Sequence, residues 1–380
     1  MELDSPQTCD SAALRPRADG SRATKRPRDD GPLRESDGSL GLRIEDHMDG
    51  FLVEHPILSL DLPDEATFNF CSGVQDLLNI SSSRGPKRQT LLSEEAFNIL
   101  KWRGLSGSFL PCPYFRPLSL GNLTVELLPS GEGCGSAFLH MTGPAATSTL
   151  YAHRWSGMTS RALRSAAPKP ADHLLLRLWM TPQDVSHSVD KKELARFYDF
   201  ASRIIQAGEW VVALIPSCSA MQVVMAEMQS RRLPLYFDSQ TWRGLMALRG
   251  EGTPEDYKDG AELLRKLPPR PNTASEKPGL IILRPDTLRA GKRPPLPKAI
   301  WCLIGDQQHQ QALAAPAGLA LSESFSVSMA PDLGDIQNLV ETVQPRRVTV
   351  SGPGAEGLAT MLGRHGLVAR AIRPAMTTLF

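Results

Sequence analysis

The apolar positions fall into short runs, separated by polar stretches that carry glycine or proline. Phe51 to Val53 and Ile57 to Leu62 read as short strands. Ser93 to Trp102 reads as a helix. Ser93 is placed to cap it, Glu94 and Glu95 suit its positive N-terminal end, and Phe97 and Leu100 give it apolar positions. Leu123 to Leu128 alternates as a strand, and Ser136 to Met141 reads as the next. Leu174 to Trp179 is an apolar run broken only by Arg177, the pattern of a strand covered on both faces.

The middle of the chain is the most regular. Lys191 to Gln206 is an amphipathic helix with Leu194, Phe197, Phe200, Ala201, Ile204 and Ile205 on one face, and Gly208 ends it. Trp210 to Ile215 is an apolar strand stopped by Pro216. Ala220 to Gln229 is a helix whose Met221, Val224, Met225 and Met228 read as core filler. Leu235 to Phe237 is a short strand. Strand alternating with helix predicts a parallel α/β sheet. Glu255 to Leu267 reads as a further helix, and Pro268 to Lys277 as a loop. Gly279 to Leu283 and Ala299 to Ile304 are strands on either side of a loop, 285–298, rich in arginine, lysine and proline. Then come a helix over Ile336 to Val343, a strand over Arg347 to Ser351, a helix over Glu356 to Gly363 and a strand over Val368 to Ile372.

Composition adds limits. The 31 prolines and 30 glycines agree with many short elements. The 380 residues allow two domains, or one inserted in another, plus a tail. A formal net charge of +1 excludes a global basic field, so any nucleic-acid surface has to be local. Arg284, Arg289, Lys292, Arg293 and Lys298, around the loop 285–298, are the candidates for such contacts. The first 45 or so residues are polar, charged and poor in aromatics, and are expected to be disordered. Within them Lys25, Arg26 and Arg28 form a short basic cluster of the kind that a nuclear import receptor reads. Six cysteines without a CxxC spacing point to reduced thiols rather than a disulfide or zinc framework. No apolar run approaches the roughly 20 residues that span a bilayer, and the N-terminus has no signal-peptide pattern, so a soluble intracellular protein is expected.

Little in the sequence spells out chemistry. The turn from Gly131 to Ser136 lacks the lysine of a phosphate loop and lies between strands rather than before a helix. Gly352-Pro353-Gly354 precedes a helix but reads as a plain turn. Ser217-Cys218-Ser219 lacks the flanking glycines of a nucleophile elbow. The eight histidines are scattered, with no two within five residues of each other. Zinc needs several donors converging on one point.

The order of the elements, with four local stretches, resembles the metallo-β-lactamase/β-CASP nucleases. In that family a strand leads to Gly-His-x-x-Gly-Ser. Here Gly131, Gly135 and Ser136 stand in place, and Glu132 occupies the histidine position. Tyr151-Ala152-His153-Arg154-Trp155-Ser156 is similar to Tyr-Thr-Gly-Asp-Phe-Ser, with Arg154 at the metal-bridging aspartate. Gly208 to Gln222, followed by Leu233-Pro234-Leu235-Tyr236-Phe237, is similar to the β-CASP strand, helix and strand. Met221 and Gln222 stand where the family has Gly-Arg. Ser328 to Asp332 precedes a helix, as Ser-Ala-His-Ala-Asp does in the active enzymes. Ala330 replaces the histidine, Asp332 persists, and Gly352 or Ser351 stands at the last histidine. The family's His-x-His-x-Asp-His motif is absent.

The resemblance implies a shortened metallo-β-lactamase-like αββα sandwich with an inserted β-CASP parallel α/β domain. Its parts would be a tail over 1–47, lactamase-like segments over 48–182 and 309–380, and the β-CASP-like domain over 183–308. It implies a pseudoenzyme with no cofactor, no metal and no catalytic residue, since a cation at position 154 repels a dimetal centre. The most similar members are the inactive β-CASP subunits of Integrator and of the cleavage-and-polyadenylation machinery. The expected role is therefore a nuclear scaffold in RNA 3′-end processing, partnered by an active β-CASP homologue and its associated subunits, with RNA a possible ligand and no membrane. A divergent DNA nuclease of the crosslink-repair type, or an unrelated α/β binding module, stays open as an alternative.

Overall fold

Strands alternate with a few helices through the chain. First come β1 (Ile44–His47), β2 (Gly50–Val53), β3 (Leu58–Leu60), β4 (Phe68–Phe70), β5 (Gln89–Ser93), α1 (Glu94–Trp102) and β6 (Phe109–Cys112). Then follow β7 (Leu118–Leu120), β8 (Leu123–Pro129), β9 (Ala137–Thr142), β10 (Ser148–Ala152) and β11 (His173–Arg177). The next group is α2 (His187–Gln206), β12 (Trp210–Leu214), α3 (Cys218–Ser230), β13 (Leu235–Phe237), β14 (Leu280–Leu283), β15 (Ala299–Gly305) and β16 (Glu323–Ser326). The last is α4 (Leu333–Val343), β17 (Arg347–Ser351), α5 (Ala355–Arg364) and β18 (Val368–Ala371).

The structure is a computed structural model. It describes residues 42–47, 50–54, 56–62, 65–74, 88–102, 104–133, 135–158, 160, 162–178, 187–237, 277–285, 299–305 and 321–372. These lie in one compact unit, Ser39–Phe380. The basic cluster Lys25, Arg26 and Arg28, the expected helix over Glu255 to Leu267, Trp179, and the loop cations Arg289, Lys292, Arg293 and Lys298 lie outside the described residues.

Three sheets result, and the class is mixed α/β. The first runs β1-β2-β3-β4-β5-β6, antiparallel at its start and parallel from β3 onward. The second has the order β18-β17-β11-β10-β9-β8-β7. It is antiparallel from β7 to β10 and parallel from β10 to β18. These two sheets face each other. Phe51, Leu60, Phe70 and Leu91 from the first meet Val125, Leu127, Leu139, Tyr151 and Leu175 from the second in one core. The period of two along a strand sends the alternate residues the other way. Leu128, Leu150, Leu174 and Leu176 therefore face α4 and α5 on the outer side. There Ile336, Leu339, Val340 and Val343 form the apolar stripe of α4, and Leu358, Ala359 and Leu362 that of α5.

The third sheet, β13-β14-β12-β15-β16, is parallel throughout. The parallel α/β sheet expected from the sequence is present. On one face Val211 and Ala213 pack with Leu194 and Phe197 of α2 and with Met221, Val224 and Met228 of α3. Ile99 and Leu100 of α1 join this core. Trp210, Val212, Leu214, Tyr236 and Ile281 make a separate core on the opposite face. The chain enters this sheet after β11 and leaves it before β17. Those two strands are direct neighbours in the second sheet, with Leu174 opposite Val348. The third sheet thus interrupts the second.

Candidate functional site

β8, β10, β11 and β17 all run in one direction in the second sheet. Their C-terminal ends therefore share one edge. The residues just beyond those ends include Glu132, Arg154 and Gly352, and α4 brings Asp332 towards them. The structure thus gathers at one edge most of the positions that the resemblance aligns with metal ligands.

Each has a local role. The turn after β8 is pinned by Ser93, whose Oγ donates to the Gly135 carbonyl at 2.6 Å and accepts from the Ala96 amide at 3.0 Å, capping α1. Gly135 has φ +77°, and a Cβ there would overlap the Ala96 backbone. On its other side the turn meets α3: a Cβ on Gly133 would lie 3.0 Å from Gln222 Oε1. Glu132 is buried within the turn, and its Oε2 accepts from Ser136 Oγ at 3.2 Å. After β10, the stem of Arg154 lies over Gly73, where a Cβ would come within 2.9 Å of Arg154 Cγ. The neighbouring His153 is buried, with Nδ1 3.1 Å from the Arg177 carbonyl, and Trp155 packs on Phe138.

Ala330 is buried, and its amide donates to Ser328 Oγ at 3.1 Å. Asp332 is the N-cap of α4. It accepts from the Asp335 amide at 2.8 Å, and Asp335 Oδ2 accepts from the Asp332 amide at 3.0 Å, a reciprocal capping box. The Asp335 carboxylate in turn abuts Gly157, tying α4 to the segment after β10. Gly352 has φ +93°, and a Cβ on it would overlap the Leu178 carbonyl at the end of β11. Among the described residues, no three histidine, cysteine, aspartate or glutamate side chains gather as a metal-holding group.

A cluster that the sequence reading missed sits at the same edge, between the two sheets. Tyr151 Oη donates to Asp61 Oδ2 at 2.7 Å, and Asp61 Oδ1 accepts from the Ser72 amide at 2.8 Å. Burial pushes the Tyr151 phenol well above its usual value; the Asp61 charge adds to the rise and Arg177 opposes it. The phenol therefore stays protonated and acts as a tie between sheets. Its one sequence signal was the segment carrying Tyr151; Asp61, with φ +55°, lies 90 residues away. Elsewhere Cys71, Cys112 and Cys302 are buried thiols outside any disulfide, and Cys218 is half-buried. Burial raises Cys112 to about 11.

No protein-family model and no curated protein matches the sequence. Among solved structures, the chain is similar to a protein of unknown function from Enterococcus faecalis V583. The TM-score is 0.51 at 10% identity, over 74% of this chain and 74% of that chain. At that identity the likeness concerns the fold alone.

Proposed function

We propose that this chain is a non-catalytic relative of the metallo-β-lactamase/β-CASP nucleases, and that it serves as a scaffold for an active homologue in a nuclear, Integrator-like RNA 3′-end processing assembly. One observation carries the reading. At the edge where the resemblance would place a dimetal centre, the corresponding side chains are a cation or serve the fold. Arg154 brings a positive charge. Glu132 accepts from Ser136, and Asp332 caps α4. Ala330 has no donor atom, and Gly352 has no room for a side chain. The face-to-face sheets, and a parallel sheet inserted between β11 and β17, support the αββα-plus-insert architecture that the reading requires.

The test is made on the full chain. Metal analysis of the purified protein is expected to find less than one zinc per chain, and an RNA cleavage assay to show no metal-dependent product. Tagged chain recovered from nuclei is expected to bring down an active β-CASP nuclease. Stoichiometric zinc, with cleavage lost in Asp332→Asn, would replace this reading with the crosslink-repair alternative. Absence of zinc together with recovery of no β-CASP nuclease would favour the unrelated binding module.

A further inference from the structure

Between the first two sheets, at the edge where β10, β11 and β17 end, the Asp61–Tyr151 tie continues to a cation. The guanidinium of Arg177 bonds to the Tyr151 phenol, whose own proton goes to Asp61. Arg177 is the last residue of β11 and is half-buried. Among the described residues no carboxylate is paired with it. A partly buried cation that meets only a neutral phenol is short of compensation.

Its neighbour in the sheet is also unsatisfied. Ser351, the last residue of β17, is the register partner of Arg177. One residue earlier in each strand, Leu176 and Val350 pack in the core against α4 and α5. Alternation turns Arg177 and Ser351 the other way, onto one face together. The Ser351 hydroxyl oxygen is buried and has no hydrogen-bond partner among the described residues. Ser72 is fully buried, and its hydroxyl is in the same state. It lies beside the amide that Asp61 holds. The cluster therefore has donors in excess. Against a cation and two unpartnered hydroxyls stands one carboxylate, whose two oxygens already accept from Tyr151 and from the Ser72 amide. The carboxyl ends of parallel strands are also where α/β sheets take their ligands.

We infer that Arg177 and Ser351 seat a singly charged oxyanion, with the guanidinium and the hydroxyl donating to its oxygens. Neighbouring strands about 4.8 Å apart place the two side chains so that an oxyanion between them reaches both at about 2.8 Å. Asp61, one phenol away, repels a second negative charge and so limits the guest to one. A phosphodiester and a carboxylate both have this chemistry. The inference does not rest on the nuclease resemblance, so its failure would leave the metal analysis and the recovery of a homologue untouched.

The probes are dimethyl phosphate and acetate, each titrated into the full chain and followed by the thermal midpoint and by the amide resonances of Leu178 and Ser351. At least one probe is expected to give a saturable rise in the midpoint, and the stronger of the two identifies the source, phosphodiester or carboxylate. Ser351→Ala removes a hydroxyl that has no partner in the fold. Without a probe its midpoint should not fall, and with the probe its binding should weaken about fivefold, the effect of one hydrogen bond. Arg177→Gln should weaken binding about tenfold or more, and Arg177→Lys should restore part of it. Ser351→Ala decides the matter even if Arg177→Gln fails to fold. No saturable response to either probe, or equal responses in the wild type and Ser351→Ala, would overturn the inference. So would a lower midpoint of Ser351→Ala without any probe, since the hydroxyl would then have a partner within the fold.

Discussion

His173 shows how burial sets the chemistry of a single side chain. It is 3% exposed on β11, with Nε2 2.9 Å from Thr349 Oγ1. Burial, reinforced by Arg347 and Arg370, lowers its pKa from 6.5 to about 3. The folded value is the depressed one, so the unfolded chain takes up a proton first as pH falls. The contribution of His173 is therefore complete above about 6.5 and is lost as pH drops towards 3. Burial lowers His140 in the same direction. Urea unfolding should give lower stability at pH 5 than at pH 7, with a flatter slope in His173→Gln; equal slopes for the two proteins would remove His173 from the account. Ser130 makes a contrasting case. Its Oγ is buried with no hydrogen-bond partner among the described residues, so Ser130→Ala should raise stability by about 1 kcal/mol, and a loss of that size would mean that the hydroxyl has a partner. Legibility also divides at this scale. Ser93 was readable as a cap because its partner, Ala96, lies three residues on. The Asp61–Tyr151 tie was not, because only the packing of two sheets brings together residues 90 apart.

Among the elements, those bounded by a hard stop were readable to within a residue or two. Gly208 and Pro216 frame β12, and Pro345 precedes β17, so apolar runs met clear limits. β1, β4, β5, β6, β7, β10 and β16 were passed over. Asn69 inside β4 and Pro111 inside β6 break any apolar run, and pairing in the sheet, rather than local pattern, makes these segments strands. Helix ends carry two of the expected outcomes. Asp332→Ala removes the cap of α4 and should cost about 1 kcal/mol in chemical denaturation. If Asp332 served chemistry alone, stability would not move. Gly352→Ala forces an L side chain into a left-handed backbone against the Leu178 carbonyl. It should cost more than the about 1 kcal/mol typical of a Gly→Ala change at such a position, and an unchanged melting temperature would contradict the close approach.

For the whole molecule, the layered α/β class was legible from the alternation of strand and helix, and the pairing of the sheets was not. The turn Gly131–Ser136 was visible from its glycines. That its neighbours are Ser93 on one side and Gln222 on the other follows only from three sheets meeting at one edge. The proposed scaffold role gives an outcome at this scale. A strong chelator should leave the thermal midpoint of the purified chain where it was, because no metal would contribute to folding. A fall of several degrees would point to a bound ion.

The interruption of the second sheet by the third also bears on how the chain finds its shape. His173 and Thr349 touch, yet 176 residues of chain separate them. Joining two points so far apart in an unordered chain is entropically expensive, and it slows any fold that depends on it early. If the intervening parallel sheet forms first, with its own cores around Val211 and Val212, it draws the two ends together and shortens the gap. β17 and β18 would then zip onto β11 last. Pulse-labelled hydrogen exchange during refolding should accordingly protect the amides of β12, β14 and β15 before those of β17.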